Sequence, residues 1–284
     1  MKRLIVLLGA VGVSASAILV RWSTAPSLVL VLYRSAIASL ILTPYVLLRH
    51  RRELFAIRRR ELLLCLASGV FLGLHFAAYF ESLRHTTIAA AVVLVDTEVF
   101  FVALGSVLFL RQRLTRRAWT AIAVTFVGSV MVAAAGAGGG GNALWGNLLA
   151  LSGALFMTGY TVIGVICRRT LSNTVYTYLV YWTSALTVLV LALVSGTPLT
   201  GYGAVNFATA AAMAVLCTLL GHSVFNWALK YLPPAFVSTV KLLEPVISAL
   251  WGLLIFREVP GLSVVLGGAL TIFGIALYSR ESET

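Results

Sequence analysis

Several ionisable side chains sit where the surrounding sequence is almost wholly apolar. Asp96 and Glu98 lie in the run 87–110, Lys241 and Glu244 in the run 235–256, and Arg34 in the run 28–48. A charge in such a run is costly in lipid unless it is paired, wetted or protonated. That leaves three kinds of chemistry: a carboxyl that carries a proton, a charge that recognises its opposite on a ligand, or an ion pair that pins helices together. Glu98 is the first candidate for proton or cation chemistry, because Glu244 occupies the equivalent place later in the chain. Asp96 is two residues from Glu98 and points to roughly the opposite side of a regular helix, where Arg34 or Lys241 is an available partner. Lys241 lies one turn before Glu244 on the same face, so that pair can neutralise itself or divide, the base for a ligand anion and the acid for a proton.

Other polar residues extend these groups. Pro245 removes a backbone donor and frees the carbonyl of Lys241, which predicts a kink beside Glu244. Ser238, Lys241, Pro245 and Ser248 share one helical face, and this polar stripe is expected to border a water-accessible cavity opposite Trp182 and Trp227. A guanidinium at Arg34 binds carboxylates bidentately, or reaches outward as an anchor. His75 and His222 are able to relay protons or to serve as satisfied interior histidines. Asn226 follows His222 by one turn, and Tyr79, Phe80, Tyr160, Tyr181 and Trp182 offer aromatic walls. The expected ligand contacts are therefore Lys241, Ser238, Ser248, Arg34, Trp182, Trp227, Tyr79 and Asn226. The expected proton-handling groups are Glu98, Asp96, Glu244, His75 and His222. Cys65, Cys167 and Cys217 fit neither a metal spacing nor a disulfide framework and read as small buried hydrophobes. No metal or cofactor is expected.

The elements that must hold these groups follow from composition. The 284 residues are 60% hydrophobic and 11% charged, with a mean hydropathy of +1.00. So much apolar surface has to be solvated by lipid. A crossing helix needs about 20 apolar residues, and continuous runs lie near 4–22, 28–48, 61–83, 87–110, 118–136, 143–166, 175–195, 207–229, 235–256 and 261–279. The runs do not alternate as barrel strands would, so helices satisfy the backbone. The net charge of +12 would suggest nucleic acid in a soluble chain. Here no loop is long enough to form a reader domain, and the bases set topology instead. With the N-terminus inside, the cytoplasmic loops take up 16 of the 21 Lys and Arg, and the opposite side only Arg21, Arg84 and Arg257. Ten spans with both termini cytoplasmic are expected, in the cytoplasmic (inner) membrane.

The halves match at an offset of 146 residues. Glu98 falls on Glu244, Leu83-Arg84 on Leu229-Lys230, and Thr125 and Gly128 on Thr271 and Gly274. Five spans per half is odd, so the second half must enter inverted, an arrangement that supports alternating access around a midplane site. The expected architecture is an all-α membrane protein of ten transmembrane helices in two inverted five-helix repeats. Residues 1–136 and 143–284 form the halves, and the glycine-rich stretch 137–142 links them.

The stretches Ala228-Leu229-Lys230-Tyr231-Leu232-Pro233-Pro234, Leu243-Glu244-Pro245-Val246 and Phe256-Arg257-Glu258, with Tyr33-Arg34 and Leu108-Phe109-Leu110-Arg111-Gln112-Arg113-Leu114, resemble the EamA-type branch of the drug/metabolite transporter superfamily. The resemblance covers the whole chain. It implies a basket of two inverted repeats around a central cavity and, often, export of amino acids or other metabolites. This chain departs from it at Val99, where the first repeat commonly carries a proline. The expected function is secondary transport of a small metabolite, possible partners being that substrate, the bilayer and protons. Exchange of cationic drug-like compounds against protons is the alternative within transport. A membrane enzyme on a lipid-linked substrate is the alternative outside it, and the chain lacks the clustered acids such an enzyme needs.

Overall fold

The computed structural model describes residues 2–86, 88–134, 143–257 and 259–281. The glycine-rich stretch 137–142 and Glu258 lie outside the described residues. The regular secondary structure of the described residues is helical. Eight helical segments among these residues are long and apolar enough to cross a membrane, and a shorter apolar helix covers Leu262–Tyr278.

In order, the first half has α1 (Lys2–Arg21), α2 (Ser27–Tyr45), which continues through a π-helical turn (Val46–His50) into α3 (Arg51–Phe55), then α4 (Arg59–His85), α5 (Ile88–Asp96), α6 (Glu98–Leu108) and α7 (Arg116–Ala134). The second half has α8 (Ala143–Cys167), α9 (Asn173–Val194), α10 (Gly203–Met213), a π-helical segment (Ala214–His222), α11 (Ser223–Ala228), α12 (Pro234–Lys241), α13 (Glu244–Phe256) and α14 (Leu262–Glu281).

Two of the apolar runs are broken helices rather than continuous ones. The run 87–110 divides at Thr97, whose amide turns back to the Leu94 carbonyl at 3.3 Å while Phe100 N bonds Thr97 O at 3.0 Å. The run 235–256 divides at Leu242 and Leu243, whose amides bond Thr239 O and Val240 O in tighter turns at 3.2 and 3.1 Å. Pro245 accounts for the second break, since it has no N–H for the Lys241 carbonyl. At the first break Val99 holds the position of that proline, and the ladder opens without one.

Four pairs of helix starts keep a single register. Ser27 and Asn173, Ile88 and Pro234, Glu98 and Glu244, and Arg116 and Leu262 are each 146 residues apart. The two non-glycine residues with left-handed backbone among the described residues, Arg111 at φ 54° and Arg257 at φ 57°, keep it too. Between α7 and α14 the contact is reciprocal. A Cβ built on Gly128 would lie 2.5 Å from Thr271 N, and one on Gly274 would lie 2.7 Å from Thr125 N. Stepping from 128 to 125 along α7 thus steps from 271 to 274 along α14, so the two helices pack antiparallel about a local two-fold relation.

The halves also exchange their first helices. α1 packs on the second-half π segment, with Gly12 against Leu216 O and Gly221, whereas α8 packs along first-half α4, with Gly146 against Thr86 and Gly159 against Phe71. Close approach of this kind is what small residues permit at helix interfaces in membranes. Two large apolar clusters result, each drawing on both halves. One is built around Leu72, Phe76, Tyr176 and Met213, the other around Val99, Ile122, Phe236 and Leu242.

Candidate functional site

Between those clusters lies a cavity of about 70 Å³. Its titratable lining comes from seven helical elements. α2 supplies Arg34, α4 supplies His75 and Tyr79, and the end of α5 supplies Asp96. Glu98 begins α6, the π segment supplies His222, and Lys241 and Glu244 flank the break between α12 and α13. Phe76, Phe80, Met157 and Phe225 form much of the apolar wall. Each helix break thus puts its acid into the cavity, because a regular helix would carry Asp96 and Glu98 to different sides.

The central contact joins the halves. Lys241 Nζ donates to Glu98 Oε1 at 2.9 Å, with the two side chains 11% and 6% exposed. The ammonium also lies 5.5 Å from the Phe225 ring centroid. Lys241 is therefore paired across the cavity rather than with its helical neighbour Glu244. Among the described residues Glu244 takes no hydrogen-bonded or ion-paired partner, although it borders the same cavity. Asp96 pairs with neither Arg34 nor Lys241; it accepts a hydrogen bond from Ser129 Oγ at 2.8 Å.

Arg34 is buried, not reaching outward. Its Nε donates to Thr218 Oγ1 at 3.1 Å and its guanidinium lies 4.2 Å from the Phe76 ring centroid. The π segment makes this possible by widening the turn at Thr218, whose carbonyl also accepts from Tyr181 Oη at 3.1 Å. π-helical turns of this sort recur at functional sites. His75 Nδ1 lies 2.9 Å from Gly153 O, and since a carbonyl only accepts, Nδ1 carries the proton and leaves Nε2 as an acceptor. His222 packs edge-on against Phe76 at 5.2 Å, and its buried Nδ1 has no hydrogen-bond partner among the described residues.

The rest of the expected stripe lies elsewhere. Ser238 is fully buried away from the cavity with its hydroxyl unpartnered. Ser248 Oγ donates to Ser14 O at 3.1 Å, and Trp251 Nε1 donates to Ser14 Oγ at 3.0 Å, so this face of α13 is docked on α1. The break between Lys241 and Glu244 is the reason, because helical phase is not carried across it. Trp227 lies tilted against Tyr231 at 5.0 Å beside Lys2, and neither it nor Trp182 borders the cavity. Asn226 Nδ2 donates to Tyr160 Oη at 2.6 Å, a packing contact. Arg168, expected in a loop, is buried and donates to the carbonyls of Asn226 and Leu171. Sequence reasoning missed Phe76, Cys217, Thr218 and Phe225. Thr218 was detectable, one turn before His222 in an otherwise apolar run; the phenylalanines carried no such signal.

Ions of both signs, an inter-half ion pair and two broken helices at one small cavity are features of a solute pathway. Comparison with known proteins agrees. The pseudopaline exporter CntI of Pseudomonas aeruginosa is 28% identical over 267 residues, spanning 92% of this chain and 89% of the exporter. An uncharacterized transporter of Archaeoglobus fulgidus is 25% identical over 220 residues, 76% of this chain and 74% of its own. A protein known from its crystal structure, 16% identical, shares the fold at a TM-score of 0.81 over 100% of this chain and 99% of its own. The profile of the EamA-like transporter family matches residues 2–134 and, a second time, 144–280. On that match over both halves, the chain is a multi-pass membrane protein that belongs to the EamA-like transporter family.

Proposed function

We propose that this protein is a secondary exporter of small zwitterionic metabolites such as amino acids, coupled to protons. In this reading ten spans form two inverted five-helix halves that rock around the central cavity, with both termini in the cytoplasm and the chain in the cytoplasmic membrane. Family membership favours a transporter over an enzyme. The two profile matches, the 146-residue register of helix starts and the reciprocal packing of α7 and α14 support the inverted repeat. The excess of Arg and Lys in alternate loops supports the orientation. That CntI is an exporter favours outward flux.

The observation that carries the substrate class is the Lys241–Glu98 pair in a cavity that also holds Arg34 and Glu244. A zwitterion has one charge for each member of such a pair. Its carboxylate takes Lys241 or Arg34, its ammonium takes Glu98 or Glu244, and the internal pair closes again after release. The buried charges then remain compensated at every stage, which a substrate of single charge would not achieve. About 70 Å³ is far below the roughly 300 Å³ at which small-molecule pockets begin. This conformation is thus closed around its polar centre, and loading requires the halves to part.

The test is flux in sealed liposomes containing the purified protein, with a mixture of radiolabelled L-amino acids and with or without a pH gradient. Counterflow in the parent, lost in Lys241→Met, is the expected result. Parent liposomes no more permeable to any amino acid than empty ones would overturn the substrate class.

A further inference from the structure

The cavity holds three carboxyl groups, and their places at the helix breaks are not equivalent. Glu98 is the first residue of α6 and Glu244 the first of α13, helices of 11 and 13 residues. Both stand at the positive end of a helix dipole, which favours a carboxylate anion. Asp96 is the last residue of the nine-residue α5. It stands at the negative end, where the ladder turns at Thr97, and there an anion is disfavoured. In the second half the corresponding turn ends α12 with Lys241, a cation at a negative end. The first half puts an acid where the field suits a cation.

Partners divide the acids in the same way. Glu98 holds the ammonium of Lys241 at 2.9 Å, so its charge is matched. Among the described residues Asp96 holds only the hydroxyl of Ser129, from α7, at 2.8 Å. A hydroxyl donates to a carboxylate and accepts from a carboxylic acid, so Ser129 serves either state of Asp96. α4, which also packs on α5, faces the cavity with His75 and Tyr79, and α8 meets α5 at Ala150 and Gly153 with no charge. The remaining charged neighbours across the cavity are Glu98, Glu244, Lys241 and Arg34. Of these cations Lys241 is engaged by Glu98 and Arg34 lies over Phe76.

We propose that Asp96, rather than Glu98 or Glu244, is the carboxyl that takes up and releases the coupling proton. The inference rests on the transport reading above. Asp96 gains a proton from the outer aqueous phase when the cavity opens outward and loses it to the cytoplasm when the cavity opens inward. Only its O–H bond forms and breaks, and substrate moves the opposite way. Glu98, held by Lys241 in the closed cavity, handles the substrate's ammonium.

Two measurements test it. Infrared spectroscopy of the reconstituted protein at neutral pH should show a protonated carboxyl band that shifts in D₂O. The band should vanish in Asp96→Asn and persist in Glu98→Gln and Glu244→Gln. In liposomes, Asp96→Asn should lose acceleration by a pH gradient while continuing counterflow of radiolabelled L-amino acids. A parent without the band, a band that survives in Asp96→Asn or disappears in Glu98→Gln, or gradient-driven flux retained in Asp96→Asn overturns the assignment. Should Asp96→Asn not fold, Ser129→Ala keeps the carboxyl and must move the band; an unmoved band is equally fatal. The infrared arm judges Asp96 whatever the substrate is, and a parent that moves no amino acid counts against the substrate class alone.

Discussion

At the scale of single residues, the Lys241–Glu98 pair has the largest energetic consequence. Both side chains are almost wholly enclosed. Removing one partner leaves an uncompensated charge, whereas replacing both leaves none. Lys241→Met should therefore lower stability by about 3–5 kcal/mol, and adding Glu98→Gln should restore most of that loss. Unfolding in detergent across the double-mutant cycle measures it. Equal, additive losses in the two single variants would mean that the pair contributes no coupling. Among the described residues Arg34 has no carboxylate at contact distance, and it leans instead on Thr218 and Phe76. Its guanidinium therefore retains donors for a ligand anion.

At the scale of elements, the site is made by departures from regular helix. The break at Thr97 brings Asp96 and Glu98 to one cavity, the break at Leu242–Leu243 does the same for Lys241 and Glu244, and the π segment brings Thr218 and His222. The rigid counterpart is the α7–α14 contact, where glycines allow backbone to meet backbone. A Cβ on Gly274 would stand 2.3 Å from Thr125 Oγ1, and the backbone nitrogen beside it cannot yield. Gly274→Leu should cost at least the upper part of the about 1–3 kcal/mol range for overpacking. Gly261→Ala, with nothing within 4 Å, should cost little. Thermal unfolding of the two variants in the same detergent compares them, and similar melting points would mean that α7 and α14 are not closely packed.

At the scale of the whole molecule, the proposed inversion of the halves makes a topological prediction. Arg111 and Arg257 are 146 residues apart, share left-handed backbone at helix ends and are both exposed. Inverted halves put them on opposite sides of the membrane. In a background lacking Cys65, Cys167 and Cys217, Arg111→Cys should react with a membrane-impermeant thiol reagent only from the cytoplasmic side, and Arg257→Cys only from outside. Labelling of both from one side would mean parallel halves.

The helix positions were legible because a lipid-solvated chain must bury its backbone polar groups in continuous apolar helices. Runs such as 143–166 therefore carried their own boundaries, although the run 28–48 continues as helix to Phe55, and the register of 146 residues lay open in Glu98 and Glu244. The kink beside Glu244 was also legible, because Pro245 states its cause in the sequence. The break at Thr97 carries no proline and was not. Partner choice lay further out of reach. By spacing alone Lys241 belongs to Glu244, one turn away, yet it binds Glu98, 143 residues distant. Ser238 and Ser248 looked like neighbours of Lys241 on a helical wheel, but a wheel assumes one continuous phase, and the chain loses that phase between Lys241 and Glu244. The sequence by itself determined which residues carry charge into the membrane. Only the tertiary structure decided which of those charges meet, because the ion pair forms where the two halves pack, and no local spacing encodes that distance.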